Sequence, residues 1–524
     1  MLEGLQLAFE PASLIALVTG LALGLVFGAI PGLTATLGVA LLVPITFIME
    51  PAPGMIMLLG VYAGSIYAGS ITAILLRIPG TPASIPTMWD GYALTEQGKP
   101  RLALGTAAVA SGIGGLFSGL VLIFLSPLLA DVALKFGPAE YVAIVLFGLL
   151  VVTAVLGGSM VRSAAGVFIG LSLALVGLDP LEGFARLDGG FYELGGGLEV
   201  VPVLLGIFCL TEAIRMAAKA KDDSPATGTA QLDEGRRTPT AKELLKNKWN
   251  FARSSLIGTG LGIIPAVGPE TTPFVSYAAA KRASKEREKY GRGSIEALIS
   301  AETSNNANVG GSLIPLLTLG IPGSAVAAVF LGALTLQGLR PGPLLFAEQP
   351  ALIGALFTGF LLINALMLVG GVLFVRQFAI VLRLPVAVLA TLVALFSILG
   401  AFAVGNNVFN IWVMFAAGAL AFVLQVARIP IAPVVLALIL GPLLETNLTK
   451  ALTISRGDWA VFVTSPLALV FLILGALFLT LPVVKRVVRR SWTTPGPEAN
   501  ADQDATGRAD ARQNDGEERR APRP

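Results

Sequence analysis

Four short runs of proline, glycine and hydroxyl residues interrupt the apolar stretches of this chain. They are Pro31-Gly32-Leu33-Thr34-Ala35-Thr36, Pro79-Gly80-Thr81-Pro82, Pro265-Ala266-Val267-Gly268-Pro269-Glu270-Thr271-Thr272 and Pro322-Gly323-Ser324. Proline removes a backbone donor and ends the preceding helical turn. Glycine lets the chain reverse and lets a ligand approach the backbone. A helix that restarts after such a break has unpaired N–H groups with partial positive charge. Those ends suit an anion such as a carboxylate, and Thr and Ser hydroxyls add adjustable donors. Substrate contacts are therefore expected from Pro31, Gly32, Thr34, Thr36, Pro79, Gly80, Thr81, Gly268, Thr271, Thr272, Pro322, Gly323 and Ser324. Kinks that serve packing alone are the competing reading.

Charged and amide groups near the breaks add to this chemistry. Arg77 precedes Ile78-Pro79-Gly80 and reads either as a bidentate carboxylate ligand or as a snorkelling side chain. Glu270 lies inside a break, where it reads as a coupling-cation or proton site or as an anion capping the restarting helix. Asn305, Asn306 and Asn308 follow Glu302-Thr303-Ser304. Their amide oxygens suit a hard cation such as Na⁺, and hydrogen bonding between helices is the alternative. Asn406, Asn407 and Asn410 read as helix joints more than as a polar path. Trp89 and Asp90 read as interfacial.

Other chemistries are disfavoured. The chain has no histidine and one cysteine, Cys209, so the usual general base and His or thiolate metal sites are missing. It has no Walker motif for ATP and no nucleophile elbow. An enzyme, metal or other cofactor is not expected; nor is a nucleic-acid partner. The coupling ion, Na⁺ or H⁺, is the one small ion implied.

The elements that must hold these residues are membrane helices. The chain is 55% hydrophobic and 13% charged, against about 25% charged in soluble domains, with a mean hydropathy of +0.79. Apolar runs such as 351–375 and 466–484 are long enough to cross a bilayer, which takes roughly 20 residues. Backbone in lipid must pair with itself, so the spans are expected to be helices. Short alternating segments of a β-barrel are missing. The fold class is thus an all-α polytopic membrane protein with about twelve segments. MLEGLQLAFEPAS lacks a basic stretch before its apolar run, so the first apolar segment is expected to be retained.

Charge divides the chain into 1–214, a basic linker at 215–253, 254–490, and a tail at 491–524 whose composition predicts disorder. The positive-inside rule places the linker, the basic run 281–292 and the C-terminus in the cytoplasm. Ser254–Ala280 lies between two of these regions and is broken by Pro265, Gly268, Pro269 and Pro273. It reads as a re-entrant hairpin, or alternatively as one kinked span. The halves match in order: Gly28-Ala-Ile-Pro31 with Gly262-Ile-Ile-Pro265, Gly69-Ser70 with Gly311-Ser312, Ile78-Pro-Gly80 with Ile321-Pro-Gly323, Gln97-Gly98 with Gln337-Gly338, and Phe117-Ser-Gly119 with Phe357-Thr-Gly359. Glu3, Glu10 and Glu50 flank the first broken segment where basic runs flank the second. The two repeats are therefore expected to be inverted, with broken helices meeting near the midplane, a recurring transporter plan.

With these residues in place, the chain resembles the large membrane subunit of the tripartite tricarboxylate transporters from about Gly20 to Leu481. The likeness rests on Gly28-Ala-Ile-Pro-Gly32, Tyr67-Ala-Gly-Ser70 with Ile78-Pro-Gly80, Trp89-Asp-Gly-Tyr92, and Asn305-Asn306 followed by Leu316-Leu-Thr-Leu-Gly-Ile-Pro-Gly-Ser324. The resemblance implies a bacterial inner-membrane permease. Such a permease takes a carboxylate from a periplasmic solute-binding protein, works beside a small membrane subunit, and draws on an ion gradient. Alternating access of an elevator-like kind is the expected mechanism. A channel-type organic anion pore is the alternative. Two positions depart from the family pattern: Arg77 stands where Asn is usual, and Ala266 where Gly is usual.

Overall fold

The structure is a computed structural model. It describes residues 2–155, 159–179, 183–219, 236–265, 267–373 and 386–491. Ala266 and the tail beyond Ser491 lie outside the described residues. The chain forms two units, 1–475 and 476–524. The first holds everything discussed below. Of the second, residues 476–491 belong to the helix Pro466–Ser491.

The first half runs as α1 (Leu2–Phe9), α2 (Pro11–Ala29), α3 (Ala35–Phe47), α4 (Pro51–Leu76), α5 (Ile85–Glu96) and α6 (Pro100–Ala133), then α7 (Pro138–Val155) and α8 (Met160–Ala174). A two-residue antiparallel ribbon pairs Gly177–Leu178 with Ala185–Arg186. Next, α9 (Val200–Leu204) passes through a π-helical turn, Leu205–Leu210, into α10 (Thr211–Lys219). The second half contains α11 (Ala241–Lys246), α12 (Lys248–Ile263), α13 (Gly268–Ala283), α14 (Ile295–Leu319), α15 (Ala325–Leu336), α16 (Pro343–Glu348) and α17 (Pro350–Leu373). Helices Val386–Ala403, Phe409–Val426, Ile431–Ile454 and Val461–Thr464 follow.

Among the described residues, eight helices are long and apolar enough to cross a membrane. The broken halves α3 and α15 belong to a set of shorter apolar helices. The breaks leave α3, α12, α13 and α15, of 13, 16, 16 and 12 residues, each shorter than a full span. Both bounds of the linker 215–253 fall inside helices, since α10 extends to Lys219 and α12 begins at Lys248. Within the linker, α11 starts with a Thr240–Glu243 capping box. The Thr240 N–H, and then Arg236, hold the Glu243 carboxyl below its usual range.

Helices α4 and α14 form the centre. Every residue of α4 from Ala52 to Leu75 is buried, as is every residue of α14 from Ala297 to Thr318. The packing is exchanged between halves: α6 lies on α14, while α17 lies on α4. Two close crossings explain the matched glycines. A Cβ at Gly28 would sit 2.2 Å from the Ser65 carbonyl oxygen, and one at Gly262 would sit 2.7 Å from that of Asn308. A Cβ at Gly80 would meet the Gly28 carbonyl at 2.5 Å; at Gly323 it would meet that of Gly262 at the same distance. These contacts set Gly69 opposite Ser312, one residue away from the match read in the sequence. Gln97, which ends α5, donates to the Arg292 carbonyl at 2.9 Å. Gln337, which ends α15, donates to that of Thr46 at 2.6 Å.

The same register pairs Arg77 with Gly320. Arg77 ends α4 in the left-handed region at φ 58°, and Gly320 ends α14 there at φ 71°. A residue with a Cβ is strained in that conformation by roughly 1–2 kcal/mol. The Arg77 guanidinium stacks on Tyr92, 5.5 Å from the ring centroid, which offsets roughly 0.5–1 kcal/mol. Arg77→Gly should therefore leave the thermal unfolding midpoint nearly unchanged. Arg77→Val loses the stacking and adds a β-branch, and should destabilise by about 1–3 kcal/mol. Unfolding of the purified variants checks the order.

Candidate functional site

The breaks set the first turns of several helices around one cavity. Thr34 ends the first break, and its side chain accepts from the Leu37 N–H at 3.2 Å, capping α3. Ser324 does the same for α15 through the Ala327 N–H at 3.1 Å. Thr81 opens a short 3₁₀ turn, Pro82–Ser84, that leads into α5. The third break ends at Gly268, where α13 begins.

The cavity has a volume of about 270 Å³, near the lower end of the roughly 300–1,000 Å³ usual for small-molecule sites. Its wall draws on all four of these turns. Ala35 and Thr36 open α3, and Pro269 and Glu270 open α13 at the matching positions. Pro82 and Ala83 precede α5, and Ala325 and Val326 open α15, again at matching positions. The two halves thus supply equivalent residues to one space. The first turns leave backbone N–H groups without helical partners, which is how a site can hold negative charge with few cations.

Gly32, Thr34, Thr36, Thr81 and Glu270 line the cavity. Pro31, Pro79, Gly80, Gly268, Pro322 and Gly323 form the breaks but not its wall. Thr271 is half-buried outside the lining. Thr272 is occupied within the protein: it donates to the Gly268 carbonyl at 2.9 Å and accepts from Asn308 Nδ2 at 2.8 Å. Ser324 lies 2.9 Å from the Tyr62 phenol oxygen, which also lies 3.0 Å from Ser312 Oγ. Arg77 is exposed, on Tyr92, and away from the cavity. Asn305, Asn306 and Asn308 are buried within α14, not in the lining. The side-chain atoms of Asn305 and Asn306 have no hydrogen-bond partner among the described residues. Asn410 donates to the Val404 carbonyl at 2.7 Å, and Asn407 accepts from the Phe409 N–H at 2.9 Å, so both join helices.

Sequence reasoning missed the other wall. Glu212 and Arg215 of α10, with Gln425 of the helix Phe409–Val426, also line the cavity. Arg215 Nη1 donates to Glu212 Oε2 and its Nη2 to Gln425 Oε1, each at 2.8 Å. Arg215 is the lining's basic residue, and the pair aims it from the side. The signal was present as the i,i+3 spacing of Glu212 and Arg215, hidden because Arg215 was read as the start of a loop.

The profile of the tripartite tricarboxylate transporter TctA family matches residues 14–436. A 52.8 kDa Agrobacterium vitis protein, described as uncharacterized and lying in the TAR-I ttuC' 3' region, is 36% identical over 479 residues. That match covers 90% of this chain and 93% of the relative. A second Agrobacterium vitis protein, from the TAR-II ttuC' 3' region, is 36% identical over 230 residues, which is 44% of this chain and 95% of the relative. No solved structure matches the chain.

Proposed function

The chain belongs to the tripartite tricarboxylate transporter TctA family, and on that premise we propose that it is the permease for a di- or tricarboxylate or a related organic acid. It is a multi-pass membrane protein of a transporter family. In this reading a periplasmic solute-binding protein delivers the acid, a small membrane subunit accompanies the chain in the bacterial inner membrane, and an Na⁺ or H⁺ gradient drives uptake. The C-terminus and the basic linker face the cytoplasm. The halves are inverted repeats, the hairpin α12–α13 re-enters the membrane, and an elevator-like movement gives alternating access.

One observation carries the proposal: equivalent first-turn residues from both halves line a single cavity. Unpaired N–H groups there take one carboxylate, and Arg215 takes another. Glu270 sits in the same space. A carboxylate beside a bound acid repels it unless Glu270 carries a proton or a cation. Substrate and coupling ion are thereby made to enter together.

The test is uptake of a labelled di- and tricarboxylate panel by cells producing the chain with its small subunit and binding protein. Uptake that persists after the ion gradients are collapsed would sink the reading. Arg215→Gln should raise KM roughly 10- to 100-fold, the loss of one charge-assisted contact, with maximal rate little changed. Initial-rate measurements over a range of substrate concentrations check this.

A further inference from the structure

The mechanism above leaves the buried acid Glu302 unused. Glu302 lies in α14 and is fully buried. No ion pair to it exists among the described residues. Its two carboxylate oxygens meet hydroxyls from two helices of the other half. Thr87 of α5 donates to Oε1, and Ser111 of α6 donates to Oε2 at 2.9 Å. Among the described residues, the phenol of Tyr67 of α4 lies near enough for a charge on Glu302 to act on it. Glu270 of α13 belongs to the cavity, and Asp90 of α5 is bound to the loop before α14.

Packing alone does not call for an acid here. A Cβ at Gly24 would meet the Val61 carbonyl at 2.7 Å, and one at Gly258 would meet the Ser304 carbonyl at 2.5 Å. That register places Leu59 of α4 at the position equivalent to Glu302. Leu59 is 2% exposed. One half therefore fills the site with an apolar side chain and the other with a carboxyl group. An unpaired carboxylate at such depth is strongly unfavourable, so it must be neutralised. Thr and Ser hydroxyls can donate or accept. They can therefore hold both states: each donates to the carboxylate, and one turns to accept from the acid.

We propose that Glu302, with Thr87 and Ser111, is a proton-binding site separate from the substrate cavity, at the meeting of α5, α6 and α14. The proton comes from the aqueous phase on one side and is released on the other. Further along α14, Asn308 holds Thr272, and Ser312 and Ser324 share the Tyr62 phenol at the fourth break. The site therefore sits on the helix that carries two of the contacts fixing the breaks. This goes beyond the substrate reading, and its test needs no substrate.

The test is infrared difference spectroscopy of the full chain in lipid, between alkaline and mildly acidic buffer. A carboxylic-acid carbonyl band should appear on acidification, vanish in Glu302→Gln, and persist in Glu270→Gln. Thr87→Val keeps the acid and removes one hydroxyl, and should shift the band in protein that still folds. An acid-induced spectrum that is the same in the wild type, Glu302→Gln and Thr87→Val would overturn the proposal. So would a Glu302 band that does not respond to pH. Failure of carboxylate uptake with this band intact would count against the substrate reading alone.

Discussion

Asp90→Ala is expected to leave little folded protein in the membrane. Asp90 is completely buried. Oδ1 accepts from the N–H groups of Gly291, Gly293 and Ser294 at 2.9, 3.1 and 2.7 Å. Oδ2 accepts from the Tyr277 hydroxyl at 2.8 Å and shares the Gly291 N–H at 3.0 Å. The carboxylate thus ties α5 of the first half to α13 and to the loop that starts α14. Trp89 and Tyr290 pack edge-on against Tyr277, with ring centroids 5.1 and 5.2 Å away. Alanine leaves three N–H groups and a phenol without their acceptor. Losing one side of a buried charged network destabilises by roughly 3–5 kcal/mol, a large part of the 5–15 kcal/mol typical of a folded protein. Asp90→Asn keeps one acceptor oxygen but turns an amide N–H₂ toward donors, so it should fall between. Thermal unfolding in detergent, with the yield of monodisperse protein, measures both. An alanine variant as stable as the parent would show that the loop is held by other contacts.

The breaks were legible because proline and glycine act locally. Each removes a hydrogen bond or admits a backbone geometry whatever surrounds it. The matched order of motifs was legible for the same reason, since it needs only the sequence. What escaped were properties set by contacts distant in the chain. Arg77 read as a ligand or as a snorkelling side chain from its place before Pro79; its left-handed backbone and its stacking on Tyr92 could not be read from the sequence. Arg215 looked like a loop cation until α10 and the helix Phe409–Val426 placed it on the cavity wall. Thr272 looked free to bind until Asn308 reached it. Asp90 and Glu302 gave the weakest signal. Nothing adjacent in sequence shows which N–H groups or hydroxyls will surround an acid.

Gly28→Val should be the most damaging change in the first half's crossing. The new Cβ would lie 2.2 Å from the Ser65 carbonyl oxygen, 2.7 Å from the Ser65 Cα and 2.8 Å from the Ala68 Cβ. These are backbone and stub atoms of α4, which is buried on all sides. No rotamer change can clear them, so α2 and α4 must separate. Overpacking a tight core costs about 1–3 kcal/mol when side chains can give way, and more when they cannot. The damage also travels. The Gly28 carbonyl lies where Gly80 passes, and Gly80 donates to the Gly69 carbonyl at 3.3 Å. Moving α2 therefore disturbs the second break, and with it Thr81 in the cavity wall. Gly262→Val tests the equivalent crossing, with its nearest contact at 2.7 Å, and should be severe but milder. Gly260→Val is the control. It lies in α12, is exposed, and has no atom within 4 Å of its added Cβ, so it should retain folding and uptake. If Gly28→Val and Gly260→Val unfold at the same temperature, the close crossing of α2 and α4 is not what fixes the first break.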